Sequence, residues 1–333
     1  MTDAELDKLK DGIRARDRRA LARSITLLES TRSSHRDQAE SLLTALLPDV
    51  GKSFRIGITG VPGVGKSTFI EMLGLKAIEA GHRVAVLTVD PTSVVSGGSI
   101  LGDKTRMEKL SSHANAFVRP SPSGGSPGGV ARRTRESIYL CEAAGYDYVI
   151  VETVGVGQSE LRVAQMTDFF LLLILPASGD ELQGIKRGVM ELADLILVNK
   201  ADDDLQNAAR RTVSSYTQAV RLMQPRVGGW QVPVLAVSAL RDQGISETLD
   251  ILDKFQIQYR ETGLTEEYRA EQSRHWLRQE VSDGLIDLCR QDPVIAARLK
   301  TLENDVKAGR VVATVAARQL VDEIVQRRAG TQP

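Results

Sequence analysis

The sequence predicts an α/β protein: a mostly parallel sheet flanked by helices, with a helical extension before it and a helical arm after it. Apolar runs at 55–59, 84–89, 116–118, 148–151, 169–175, 195–198 and 234–237 alternate with stretches of helical periodicity, the grammar of strand–helix–strand crossovers. Several of these runs lack polar alternation, as strands buried on both faces do. Outside that span the strand pattern is absent, and apolar residues recur at helical spacing between charges. The expected organisation is an N-terminal helical extension at 1–52, an α/β domain at 53–262 and a C-terminal helical arm at 263–333.

Composition narrows the class. A chain of 333 residues, 42% hydrophobic and 26% charged, can bury a full core and still carry appendages. Lys+Arg and Asp+Glu are equal at 43 each, so no net positive field recruits nucleic acid or an anionic membrane. The first residues, Met1-Thr2-Asp3-Ala4-Glu5, are acidic where a signal peptide is basic and then apolar, and no apolar run approaches membrane-spanning length. A cytoplasmic protein is expected. Cys141 and Cys289 stand far apart in helical patterns, which fits reduced thiols better than a disulfide framework.

Taken in order, Leu6, Leu9 and Ile13, then Leu21, Ile25 and Leu28, give the extension its helical period. Arg14, Arg16, Arg18, Arg19 and Arg23 are interleaved with Asp11, Asp17 and Glu29, and no aromatic residue precedes Phe54, so a solvated helix face is expected rather than a nucleic-acid stripe. A short helix at 37–47 stops at Pro48. The first strand then runs into Gly60, Val61, Pro62, Gly63, Val64, Gly65, Lys66, Ser67 and Thr68, and a helical pattern covers 66–80. This is a P-loop in its strand–loop–helix setting. Its backbone N–H groups can turn inward on phosphates, Lys66 can reach the β and γ oxygens, and Ser67 can ligate Mg²⁺.

Further candidates fall just past the ends of the later strands, where open α/β sheets bind ligands. Asp90 ends the 84–89 run and can orient a Mg²⁺-bound or attacking water; Asp103, in the following segment, can join the metal shell. The loop at 121–129, rich in Gly, Ser and Pro, lacks the Lys-Ser/Thr ending of a phosphate cradle and reads as a lid or partner loop. Glu152, followed three residues later by Gly155, matches the acid that holds Mg²⁺ and the glycine whose N–H senses a γ-phosphate. Val156 follows Gly155 where a Ras-type enzyme carries its water-orienting glutamine, so slow intrinsic hydrolysis is expected. In the glycine-bearing segment 176–188, Lys186 or Arg187 is a candidate charge-stabilising finger, with a plain surface turn and helix start as the alternative.

Base choice is read from Asn199, Lys200, Ala201 and Asp202 after the 195–198 run. A carboxylate there accepts the N1–H and the exocyclic amine of guanine, a donor pair adenine lacks, so GTP or GDP is the expected nucleotide. Ser238, Ala239 and Leu240 fit the companion loop whose backbone N–H meets the guanine carbonyl. Beyond residue 262, Trp276, Leu277, Val281, Leu285 and Leu288 form one apolar stripe and Val312, Val315, Leu320, Val321 and Ile324 another, faces that need a cover. A second copy of the chain is the expected cover.

These motifs together resemble the methylmalonyl-CoA mutase-associated GTPases, called MeaB in bacteria and MMAA in humans and related to ArgK-type transport kinases. The resemblance is carried by Asp17-Arg18-Arg19-Ala20-Leu21-Ala22-Arg23, the P-loop, Asp90-Pro91-Thr92-Ser93, Gly102-Asp103-Lys104-Thr105-Arg106-Met107, Glu152-Thr153-Val154-Gly155-Val156-Gly157-Gln158-Ser159-Glu160, Gly179-Asp180-Glu181-Leu182-Gln183-Gly184-Ile185-Lys186 and Asn199-Lys200-Ala201-Asp202. It spans nearly the whole chain. It implies a Mg²⁺-dependent GTPase domain and a homodimer formed by the C-terminal helices. It also implies a role as G-protein chaperone that gates cofactor delivery to adenosylcobalamin-dependent methylmalonyl-CoA mutase and protects or reactivates it. Residues 90–107, 152–160 and 176–188 are then switch segments. The Asp-x-His-x-x-Gly pattern of cobalamin domains is absent, so the cofactor is assigned to the mutase. The alternatives are a metallochaperone GTPase, a chaperone of a related acyl-CoA mutase, or a kinase of transport proteins. His35, His82, His113 and His275 are scattered, which disfavours a dedicated transition-metal site.

Overall fold

The computed structural model describes residues 2–30, 32–89, 107–120, 127–153, 159–176, 187–224 and 226–329. Asp90, Asp103, Gly155, Lys186 and the 121–126 part of the predicted lid lie outside them. Residues 1–269 form one compact unit and residues 270–333 a second.

The first unit opens with helices α1 (Asp3–Arg14), α2 (Arg18–Glu29) and α3 (Ser33–Leu46). Thr2 and Glu5 make a reciprocal capping box that starts α1, and Asp17 caps α2 by accepting from Arg19 N at 2.8 Å. The chain then alternates β1 (Phe54–Gly60), α4 (Lys66–Glu79), β2 (Val84–Val89), α5 (Glu108–Ser112), β3 (Ala116–Arg119), α6 (Pro127–Ala143), β4 (Tyr148–Thr153), α7 (Ser159–Ala164), β5 (Phe169–Ile174), α8 (Arg187–Met190), β6 (Leu195–Val198), α9 (Gln206–Arg221), β7 (Val234–Ala236) and α10 (Ile245–Glu261). The strands form a 7-stranded sheet in the order β3-β2-β4-β1-β5-β6-β7, with parallel pairing throughout.

Every residue of β1, β2, β4, β5 and β6 is buried, which is why their sequences are largely apolar with no polar alternation. One face of the sheet is covered by α4, α5 and α10 through a cluster that includes Ile58, Phe69, Leu73, Leu110, Phe169, Leu249 and Phe255. On the other face, Ile196 and Val198 pack with Ala209 and Tyr216 of α9. There α6 lies on β2 and β4, and α2 and α3 cover α6 in turn.

Strand β4 is two residues longer than the apolar run 148–151 because it is paired on both sides: Glu152 stands opposite Ile58 of β1 and Thr88 of β2, and Thr153 opposite Val89. The ladder continues through a charged residue because its neighbours on either side extend equally far. The crossovers leave in opposite directions here, since β1 leads through α4 to β2 while β4 leads through α7 to β5 across the sheet. The crevice outside the carboxyl ends of β1 and β4 is thus the topological switch point.

Arg14, Arg16, Arg19 and Arg23 are exposed, as the solvated reading expects; Arg14 and the half-buried Arg18 also make bonds that tie the extension down. Arg14 Nε donates to Asp49 Oδ2 at 2.9 Å and its NH2 to Ala45 O at 3.1 Å. Arg18 donates to Ser111 O at 3.0 Å and His113 O at 3.3 Å. They knit the helices to the unit because main-chain carbonyls left open at helix ends attract cationic donors.

The second unit holds the rest of α11 (Leu264–Gln291), with α12 (Pro293–Lys307) and α13 (Ala313–Ala329). Asp292 caps α12 through Val294 N at 2.9 Å with Pro293 at the first helical position, a strong start signal. Arg298 Nε bridges both oxygens of Glu323 at 3.0 Å, joining α12 to α13.

Candidate nucleotide site

The P-loop is built at the end of β1, where the backbone must turn sharply and pass close to its neighbours. A Cβ on Gly60 would come within 2.5 Å of Leu173 O on β5, and Gly65 adopts φ of 91° while a Cβ there would lie 2.8 Å from Asn199 Nδ2. Only glycine satisfies both demands. Lys66 follows as the first residue of α4; its side chain folds back over the loop, with Nζ donating to Gly60 O at 2.8 Å. Lys66 is buried to 9% exposure, Ser67 is half-buried beside it, and Thr68 is exposed.

Glu152 sits at the end of β4, 4% exposed. Next to it, the hydroxyls of Thr153 and Thr59 share a hydrogen bond of 2.8 Å that links the ends of β4 and β1 beneath the loop. Both threonines are buried. Their positions at the ends of neighbouring apolar runs are the only sequence signal for this link.

The base-reading segment follows β6. Asn199 is buried and both ends of its amide are used: Nδ2 donates to Val64 O at 2.8 Å, and Oδ1 accepts from Ala239 N at 3.2 Å. One side chain thereby joins the P-loop to the 238–240 loop. Lys200 is exposed with φ of 60°, turning the chain so that Ala201 N donates to Val237 O at 3.0 Å. Asp202 is half-buried, and its carboxylate accepts from the Ser238 hydroxyl. Ser238 Oγ in turn accepts from Arg241 N at 3.2 Å, and Ser238 pairs with Gln243 across an antiparallel bridge that closes the loop. Leu240 is exposed at 79% and Ala239 is buried.

All of these described residues therefore sit at one edge of the sheet, the carboxyl ends of β1, β4, β6 and β7. The sequence reading located them but missed two roles: Asn199 as the brace between loops, and the Ser238 hydroxyl as the group that orients Asp202. It also assigned no part to Glu71 of α4, whose Oε1 accepts from Lys109 N at 2.8 Å. A phosphate cradle with a buried lysine, a buried carboxylate on the adjacent strand and a braced carboxylate for the base together can hold a nucleoside triphosphate and select guanine. For a metal, Glu152 and the Ser67 hydroxyl supply hard oxygen donors of the kind Mg²⁺ takes alongside phosphate oxygens.

Residues 21–293 match the family described as methylmalonyl Co-A mutase-associated GTPase MeaB. A Mycobacterium tuberculosis protein named "Probable GTPase" is 49% identical over 320 residues, covering 96% of this chain and 95% of the relative. The mouse mitochondrial methylmalonic aciduria type A homolog is 44% identical over 314 residues, covering 91% of this chain and 76% of the relative. The crystal structure of an LAO/AO transport system kinase superposes with a TM-score of 0.79 at 35% identity, covering 97% of this chain and 99% of that one.

Proposed function

Since the chain belongs to the methylmalonyl Co-A mutase-associated GTPase family, and is a GTPase on that ground, we propose that it serves as a G-protein chaperone of adenosylcobalamin-dependent methylmalonyl-CoA mutase. In this reading GTP binding and hydrolysis gate cofactor delivery to the mutase and protect or reactivate it, while the cobalamin stays on the partner. The observation that carries the nucleotide half is Asn199 bridging Val64 O and Ala239 N, because it ties phosphate cradle and base pocket into one frame. The partner half is supported by the family match alone.

The proposed chemistry is positioning and charge neutralisation. Lys66 leaves Gly60 O for the β and γ oxygens, and Gly63 to Thr68 surround the phosphates with backbone donors. Ser67 and Glu152 would hold Mg²⁺, with Asp90 and Asp103 completing its shell; the ion would neutralise the charge that develops as the phosphoryl group transfers. Gly155 would report the γ-phosphate. Lys186 would stabilise the transition state, brought in when the partner binds. Asp202, held by Ser238, would read guanine. Slow intrinsic turnover follows from Val156 standing where a water-orienting glutamine would be.

A homodimer through the C-terminal helices is part of the proposal, supported by the exposure of Leu277 at 65%, Val281 at 54% and Leu285 at 55% along one helix. A cytoplasmic location is supported by two unpaired cysteines. Among the described residues no helix is long and apolar enough to cross a membrane.

The test is GTP turnover by the purified chain alone and with purified methylmalonyl-CoA mutase, with ATP in parallel. Stimulation by the mutase, for GTP only, is expected. Turnover that the mutase leaves unchanged would overturn the chaperone reading and point to another partner, such as a related acyl-CoA mutase.

A further inference from the structure

Helix α5 directly follows residues 90–107, the stretch read above as a switch segment. Its five residues are too few to hold a helical shape by propensity. Side chains from two other elements hold it instead.

At its start, the backbone N–H groups of Lys109 and Leu110 donate to Glu71 Oε1 at 2.8 and 3.3 Å. A carboxylate there satisfies donors that the first turn leaves open and suits the positive end of the helix. Glu71 belongs to α4, the helix that begins with Lys66 and Ser67. Leu110 is fully buried and lies so close to Gly74 of the same helix that a Cβ on Gly74 would come within 2.8 Å of it. At the other end, Arg18 of α2 donates to Ser111 O at 3.0 Å and to His113 O at 3.3 Å, a cation on the carbonyls of the helix end. Helix α2 is itself fastened to the end of β3, where Arg119 NH2 meets Glu29 Oε2 at 2.6 Å.

We propose that Glu71 and Arg18 are positioning residues of the GTPase. They fix α5 between the phosphate-binding helix and the N-terminal extension, and so set where residues 90–106 rejoin the described fold. The extension then belongs to the apparatus that tells GTP from GDP, and is not a separate preface. Both residues act through α5. The inference rests on residues 90–106 responding to the γ-phosphate, and not on the mutase.

The experiment compares the full chain with its Arg18→Ala, Glu71→Ala and Glu71→Gln variants. It measures affinity for fluorescent GDP and for a non-hydrolysable GTP analogue with Mg²⁺, and single-turnover GTP hydrolysis. In both alanine variants the ratio of analogue affinity to GDP affinity is expected to fall about fivefold, the low end of ordinary coupling between sites, with GDP affinity held within about twofold. Glu71→Gln keeps an acceptor oxygen at the same reach and is expected to restore most of the ratio. An unchanged ratio in Arg18→Ala, or equal loss of both nucleotides, overturns the proposal, and Arg18→Ala alone decides if Glu71→Ala fails to fold. Asp103→Ala separates the causes. If it shifts the ratio while Arg18→Ala does not, the α5 link is wrong and the switch reading survives; if neither shifts it, both are wrong.

Discussion

Asn199, Ser238 and Asp202 are the few side chains proposed to decide which base this site takes. Asp202 alone could swing into solvent, but the Ser238 hydroxyl donates to it and Ser238 is fully buried, so the carboxylate is aimed before any nucleotide arrives. Asp202→Asn replaces one acceptor oxygen with a donor facing the guanine amine. GTP affinity is expected to fall about a hundredfold, the loss of charged hydrogen bonds in a partly buried site. Xanthine carries a carbonyl in place of that amine and is expected to bind the Asn variant better than guanine. Competition binding with both nucleotides checks this, and unchanged guanine preference would refute the role given to Asp202. Lys66→Ala is expected to abolish measurable GTP turnover, because it removes the cation proposed to neutralise the phosphates, while the protein stays folded by circular dichroism; the side chain donates to Gly60 O at 2.8 Å and Val61 O at 3.4 Å. Normal hydrolysis by that variant would place the active site elsewhere.

At the scale of elements, the amino edge of the sheet is closed by a repeated device. An aspartate stands just before β4, β5 and β6, and each pairs through its backbone and carboxylate with a residue on the neighbouring strand or, for Asp147, with Arg83 just before that strand. Asp147 takes Arg83 N at 2.6 Å, Asp168 takes Arg55 N at 2.8 Å and Asp194 takes Phe170 N at 2.8 Å. At Asp168 and Asp194 these pairs set the strand registers, since a shifted register would strand both a buried carboxylate and a main-chain donor. Arginines then neutralise the deeper acids: Arg269 meets Asp168 at 2.6 Å, and Arg226 pairs with Asp194. Burial pushes the Asp194 carboxyl up, against the pull of Arg226 and the Phe170 N–H, so this acid depends on its partners to stay charged. The same edge holds Glu142 of α6, fully enclosed and bound by Arg55 at 2.8 and 2.9 Å, by Ser53 Oγ at 2.5 Å and by Gly51 N at 2.9 Å. Arg55→Ala leaves Glu142 buried without its counter-charge and is expected to cost about 3–5 kcal/mol in urea unfolding. Guanine-nucleotide binding is expected to persist in the folded fraction, because Arg55 lies at the opposite end of β1 from the P-loop. A loss below about 1 kcal/mol would mean that the pair is replaceable by solvent.

For the whole molecule, the second unit poses a different problem. Leu277, Val281, Leu285 and Leu288 follow one another at helical spacing and are 65%, 54%, 55% and 45% exposed, a continuous apolar stripe with charged residues beside it. Leu277→Asp combined with Leu285→Asp is expected to convert the proposed dimer to a monomer in sedimentation velocity, with intrinsic GTP turnover unchanged. A variant that remains dimeric would remove this stripe from the interface.

Much of this was legible in order along the chain. Buried parallel strands advertise themselves as apolar runs, so the α/β class followed from the amino acids; the P-loop, the Glu152 strand end and the Asn199–Asp202 segment were picked out by residue type and spacing, and the fold brings them to one edge of the sheet. The Asp147, Asp168 and Asp194 clamps were also written there, each one residue before an apolar run, but nothing in a one-dimensional pattern says which strand lies alongside. That depends on sheet order, which tertiary packing decides. The same holds for Arg18, which looks like any exposed helix charge until α2 lies beside α5. It holds too for Asn199, whose amide braces Val64 and Ala239 only because crossovers bring the ends of β1, β6 and β7 to one edge. Local periodicity and motif chemistry act over neighbouring residues and are read from sequence; hydrogen-bond partners separated by dozens of residues are selected by the geometry of the folded chain.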